Sequence, residues 1–209
     1  VFYLHQLHEE GRIGNVPIWV DSPLGHRATE VFREHPECYD AEANAFFLRG
    51  REPFSFERLH YAQSIDDSKK LNTQKGPLVI LSSSGMCEGG RILHHLAHGV
   101  EEADNIVLLT GFQAADTLGR KLQQGLSPVN ILGRPYAVRA RVAMIEALSA
   151  HADSDEIVEY FRESKATPSR VFLVHGEPPQ PQALEARLRE DLGWSRVDVP
   201  APGESVVLE

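Results

Sequence analysis

The chain has 209 residues, 42% hydrophobic and 24% charged, with a formal net charge of −9. That balance excludes a disordered or collagen-like chain, and no apolar run approaches the roughly 20 residues of a membrane span. Two cysteines, Cys38 and Cys87, cannot build a disulfide framework and point to a reducing, cytoplasmic setting, while 10 histidines raise the question of metal binding or proton transfer.

Phe2, Tyr3, Leu4 and Leu7 are at helical spacing, so residues 1–10 read as helix. No signal peptide is visible, and a chain that opens inside a helix without Met is expected to be a fragment. Residues 16–20 form a short apolar strand. Asp21, Ser22 and Pro23 follow, where Asp or Ser caps the next helix and proline suits its first turn, with the helix expected over 24–34. A helix at 41–48, a strand at 58–62 and a helix at 64–71 come next. Residues 77–81 and 105–110 are continuous apolar runs, as in strands buried on both faces of a parallel sheet, and each leads into a helix, at 91–96 and 117–124. This rhythm predicts an α/β fold with a mainly parallel sheet flanked by helices. After Gly125 the pattern changes to strand-like stretches at 129–132 and 136–148. A helix at 153–164, a strand at 171–174, a helix at 182–192 and short strands at 197 and 206–208 complete the chain. A domain boundary is placed at 143/144.

Three segments carry candidate chemistry. Ser82, Ser83, Ser84 and Gly85, then Gly89, Gly90 and Arg91, join a strand to a helix, where backbone N–H groups and a helix N-terminus suit a phosphate. The spacing matches neither a Walker A loop, a GxGxxG fingerprint nor a GxSxG elbow; a plain strand-to-helix turn is the competing explanation. His94 and His98 stand at i, i+4, but no Glu follows the first, so packing or exposure is expected of them and of His95; His5 and His8 are expected at the surface. His151 lies in a small-residue loop before a helix. His175 ends an apolar strand in Val174-His175-Gly176-Glu177, with Gly176 expected to allow a sharp turn. A two-zinc hydrolase needs more ligands than these, and no HxHxDH cluster occurs.

Ser83 to Leu96, Ser149-Ala150-His151 and Val174 to Glu177, in that order, together with Val16 to Leu24, resemble the β-CASP branch of the metallo-β-lactamase superfamily. Within it the chain is most similar to RNA nucleases of the cleavage and polyadenylation type and their prokaryotic relatives. The resemblance implies a β-CASP cap over residues 1–143, its start missing, and the C-terminal segment of an αββα metallo-β-lactamase domain over 144–209. It implies RNA as substrate and two zinc ions in the full-length enzyme, with an incomplete ligand set here. By the same resemblance His175 binds one zinc, and His151, poised by an acidic partner, helps protonate the leaving oxygen. The resemblance also implies that Ser83, Ser84, Gly89, Gly90 and Arg91 line the RNA path and contact substrate phosphates. The HxHxDH motif and the acidic partner belong to a missing N-terminal half, so the 209 residues alone are expected not to hydrolyse RNA. A homodimer is left open. A non-catalytic RNA-binding or scaffold paralogue and a standalone Rossmann-like nucleotide-binding domain are the alternatives; the missing glycine fingerprint argues against the second.

Overall fold

The computed structural model describes residues 1–149 and 151–207. They form two compact units, Val1–Ala147 and Leu148–Glu209.

The first unit opens with α1 (Phe2–Glu9), β1 (Ile18–Asp21) and α2 (Pro23–Glu34). The sequence offers Asp21 and Ser22 as caps for α2. Ser22 takes the role, its Oγ accepting from Gly25 N at 3.0 Å, which frees Asp21 for another task. A 3-10 turn (Pro36–Cys38) leads to α3 (Ala41–Leu48), capped by Asp40, whose Oδ1 accepts from Ala43 N at 2.8 Å. After β2 (Leu59–Tyr61), Ser64 and Asp67 form a capping box that starts α4 (Ile65–Leu71). Then come β3 (Val79–Ser82) and α5 (Ile92–Gly99). β2, β1 and β3 make a parallel sheet with β1 in the middle, and its last residue, Asp21, pairs in register with Ser82. The carboxyl ends of β1 and β3 therefore lie side by side, and the loop at 83–91 starts from that edge.

The remaining elements of this unit are β4 (Ile106–Leu109), α6 (Leu118–Gln123), β5 (Val129–Ile131), β6 (Arg134–Tyr136) and β7 (Arg141–Met144). β4 and β7 pair in parallel, and β5 and β6 form a hairpin. Leu132 and Gly133, at φ 51° and 79°, supply the two left-handed residues that a tight hairpin requires. Leu96, Val100, Leu109, Leu122 and Ile131 are buried together as one core.

Some expectations are corrected. β3 is only half-buried throughout, because it is an edge strand. Ile106 and Leu108 are 55% and 50% exposed while Leu109 is buried, so β4 is covered on one face. An apolar run favours a strand but does not itself recruit a second covering layer. The stretch 136–148 is not one strand: Arg139 N and Ala140 N both donate to Val100 O, at 2.9 and 3.0 Å, which turns the chain between β6 and β7. His5 is buried rather than at the surface, stacked on Phe56 at 4.7 Å with its Nδ1 3.1 Å from Pro53 O.

The second unit holds α7 (Ser154–Ser164), β8 (Val171–Phe172), α8 (Gln180–Leu192) and β9 (Val197–Asp198), with β8 and β9 parallel. Asp153 and Glu156 start α7 with a capping box, and Gly193 ends α8 at φ 70°. Val158, Leu188 and Val197 form a small core. The expected strand at 171–174 stops at Phe172, and Val174 is 73% exposed. Val206 and Val207 lie in no strand, and Leu208 lies outside the described residues. Among the described residues no helix is long and apolar enough to cross a membrane.

Candidate functional site

Asp21 is the pivot of the first unit's carboxyl edge. It is fully buried, and three side chains donate to its carboxylate. Ser68 Oγ and His95 Nε2 reach Oδ2, each at 2.6 Å, and Arg91 Nη1 reaches Oδ1. Arg91 Nη1 also donates to Ala62 O at 3.3 Å, and His95 Nδ1 lies 2.7 Å from Asn72 Oδ1. Burial pushes the Asp21 carboxyl up, but the hydrogen bonds from Ser68, Arg91 and His95 and the Arg91 charge outweigh it, so it is held below the usual carboxylate range. The network joins β1, α4 and the start of α5, through its N-cap Arg91 and through His95 in its first turn. Removing one partner would strand a buried charge.

The loop at 83–91 is closed by its own bonds. Ser84 N donates to Gly89 O at 3.0 Å, and Ser84 Oγ accepts from Glu88 N and Gly89 N at 3.1 and 3.3 Å. Both acceptor sites of that hydroxyl are used, which leaves its proton to donate elsewhere. Ser83 Oγ lies 2.9 Å from Ser22 Oγ. Gly90, at φ 80°, passes so close that an added Cβ would sit 2.5 Å from Ser83 O; only glycine fits there. Outside the loop, Gln113 Nε2 donates to Gly85 O at 3.0 Å, Gly119 N to Met86 O at 3.0 Å, and Leu118 N to Glu88 Oε1 at 2.5 Å. The N-terminus of α6 is thus occupied by the loop itself. Within the loop Cys87 is buried, and burial, with a smaller contribution from the Glu88 charge, pushes its thiol up to about 11.

Of the residues singled out from sequence, Ser83 and Gly90 are exposed, and Ser84, Gly89 and Arg91 are half-buried. Arg91 has one nitrogen committed to Asp21 and Ala62, leaving protons on Nε and Nη2 for other partners. His151 and His175 stand in the second unit, both exposed. His151 N donates to Ser149 Oγ at 3.2 Å, and neither imidazole has a partner among the described residues; Ala150, between Ser149 and His151, lies outside them. His175 itself takes the left-handed turn, at φ 68°. Gly176 serves a different end from the turn expected of it: a Cβ there would meet Pro181 Cγ at 2.5 Å, so it lets α8 approach. His98 Nδ1 lies 2.7 Å from His94 O, a bond within the helix rather than a shared metal. Among the described residues no three His, Cys, Asp or Glu side chains are grouped to hold a metal ion.

Sequence reading missed Asp21, Ser68, His95 and Gln113. Asp21 reads as a helix cap and His95 as packing, because the pairs at sequence separations of 47, 70 and 74 exist only once the sheet is assembled.

Comparison with known proteins adds the following. Residues 1–122 match the model of the Beta-Casp domain, and residues 135–200 that of the Zn-dependent metallo-hydrolase RNA specificity domain. The chain is 36% identical to ribonuclease TTHA0252 of Thermus thermophilus, over 87% of this chain and 41% of that protein. It is 32% identical to the transcription termination factor FttA of Methanocaldococcus jannaschii, over 79% of this chain and 27% of that protein. With an RNase J-like protein of the same organism it shares 29% identity, over 91% of this chain and 41% of that protein. The chain therefore spans less than half the length of these relatives.

Proposed function

The chain belongs to the Beta-Casp family, in the metallo-β-lactamase superfamily, and from that premise we propose that it is the RNA-gripping part of a zinc-dependent ribonuclease. In this reading residues 1–143 are the cap and 144–209 the returning segment of the metallo-hydrolase domain. The observation that carries it is the loop at 83–91. It is locked at the carboxyl edge of a parallel sheet, with a spare Ser84 proton and free Arg91 protons beside exposed Ser83 and Gly90. These groups would hold phosphate oxygens, supported by the Ser84 hydroxyl and the Arg91 charge.

In this reading His175 is one metal ligand and His151 the proton donor to the leaving oxygen; both imidazoles are exposed, and neither has a partner among the described residues. One histidine does not make a zinc site, and the described residues do not fit the ion by themselves. Zinc would supply Lewis-acid stabilisation once further ligands join. The 209 residues alone are then inactive. The two free cysteines agree with a cytoplasmic setting.

Binding of labelled single-stranded RNA at several salt concentrations tests this. The chain should bind with a negative salt slope. Ser84→Ala and Arg91→Lys should weaken binding, and the purified 209 residues with zinc should leave the RNA intact. Zinc-dependent cleavage that disappears in His175→Ala would refute the inactivity of this part. Binding of a dinucleotide but not RNA would favour the nucleotide-binding alternative.

A further inference from the structure

We infer that Phe112 is a stacking platform for an RNA base, carried beside the loop at 83–91; the inference rests on the RNA reading above. Phe112 follows β4 and is 61% exposed. Its ring is backed by the Arg120 guanidinium, 5.5 Å from the ring centroid. That guanidinium is fixed in turn, because Arg120 Nε donates to Gln113 O at 2.6 Å. The ring is thus held from behind and open in front, which reduces the rotamer freedom lost when a base stacks on it.

Its position follows from the next residue. Gln113 is 2% exposed, and its Nε2 donates both to Gly111 O at 2.9 Å and to Gly85 O at 3.0 Å. The backbone on either side of Phe112 is therefore tied to the same loop whose serines and arginine are assigned to phosphates. Gly119 belongs to this clamp as well, since a Cβ there would fall 1.7 Å from Gln113 Oε1. A strand of RNA needs two kinds of contact to be held without sequence preference: donors that track its phosphates and a flat apolar face for its bases. The loop supplies the first, and Phe112 is the exposed aromatic side chain that the Gln113 clamp fixes next to it. Aromatic stacking tolerates every base, so the platform grips RNA rather than reads it.

The test compares a short labelled oligoadenylate with an abasic ribose-phosphate oligomer of the same length, binding to the full chain. Phe112→Ala and Phe112→Leu should each lower affinity for oligoadenylate about tenfold and leave the abasic oligomer unaffected. Phe112→Trp should keep the affinity, and its added indole emission should be quenched by oligoadenylate only. An equal loss on both oligomers, or no loss on either while the wild type binds both, overturns the stacking role and leaves the RNA reading standing. If the wild type binds neither oligomer, the RNA reading fails and the stacking role falls with it.

Discussion

In the first unit the candidate groups are built into a scaffold. Asp21 gathers Ser68, Arg91 and His95, Ser84 closes the loop on itself, and Gln113 and α6 hold it from outside. In the second unit, whose core is a few side chains, Val158, Leu188 and Val197, His151 and His175 are exposed, and neither imidazole has a partner among the described residues. The difference separates the two tasks of the proposed reading. A surface that grips a polymer must be rigid before the polymer arrives, so its support is internal. On the proposed reading, a metal-ligating His175 would take its orientation from a partner on its other ring nitrogen, and none is found among the described residues.

The largest expected effect tests the internal support. Asp21→Ala leaves Arg91 part-buried without a counter-charge and should cost about 3–5 kcal/mol in urea unfolding. The same residue sets an acid limb. Its folded pKa lies below the unfolded value, so its contribution is whole above about pH 4 and is lost as pH falls through the folded value. Unfolding followed from pH 6 down should show this loss, and Asp21→Asn should flatten it; an unchanged slope would break the argument. Gly90→Ala comes next. The left-handed backbone alone should cost about 1–3 kcal/mol, with the approach to Ser83 O added, and RNA affinity should fall with it. The smallest effect belongs to the second unit. His151→Ala and His175→Ala should each change stability by less than about 0.5 kcal/mol, since both side chains are exposed and have no hydrogen-bond partner among the described residues. A cost above 1 kcal/mol for either would erase the contrast between the two regions.

Much of the fold is legible in the chain because it is local. Ser22, Asp40, Ser64 and Asp153 cap the helices that their spacing announces, and the apolar runs at 77–81 and 105–110 give the parallel strands Val79–Ser82 and Ile106–Leu109. What misleads is cover. The composition of 106–109 is the same whether one face or two is buried, and Ile106 and Leu108 turn out exposed. Arg91 likewise reads as a free phosphate donor, because nothing near it in sequence announces a buried carboxylate at a separation of 70 residues.

By itself the sequence determined the alternation of strands and helices and the motif order that places the chain in its family. Capping, periodicity and motif spacing act over a few residues and survive without a fold. Only the tertiary structure decided that Asp21 is a buried hub rather than a cap, that His95 is one of its donors, and that Phe112 stands clamped beside the loop at 83–91. Those assignments depend on β1 pairing with β3 and on Gln113 reaching Gly85. Both contacts join distant residues, so they come into being when the sheet and its loops assemble.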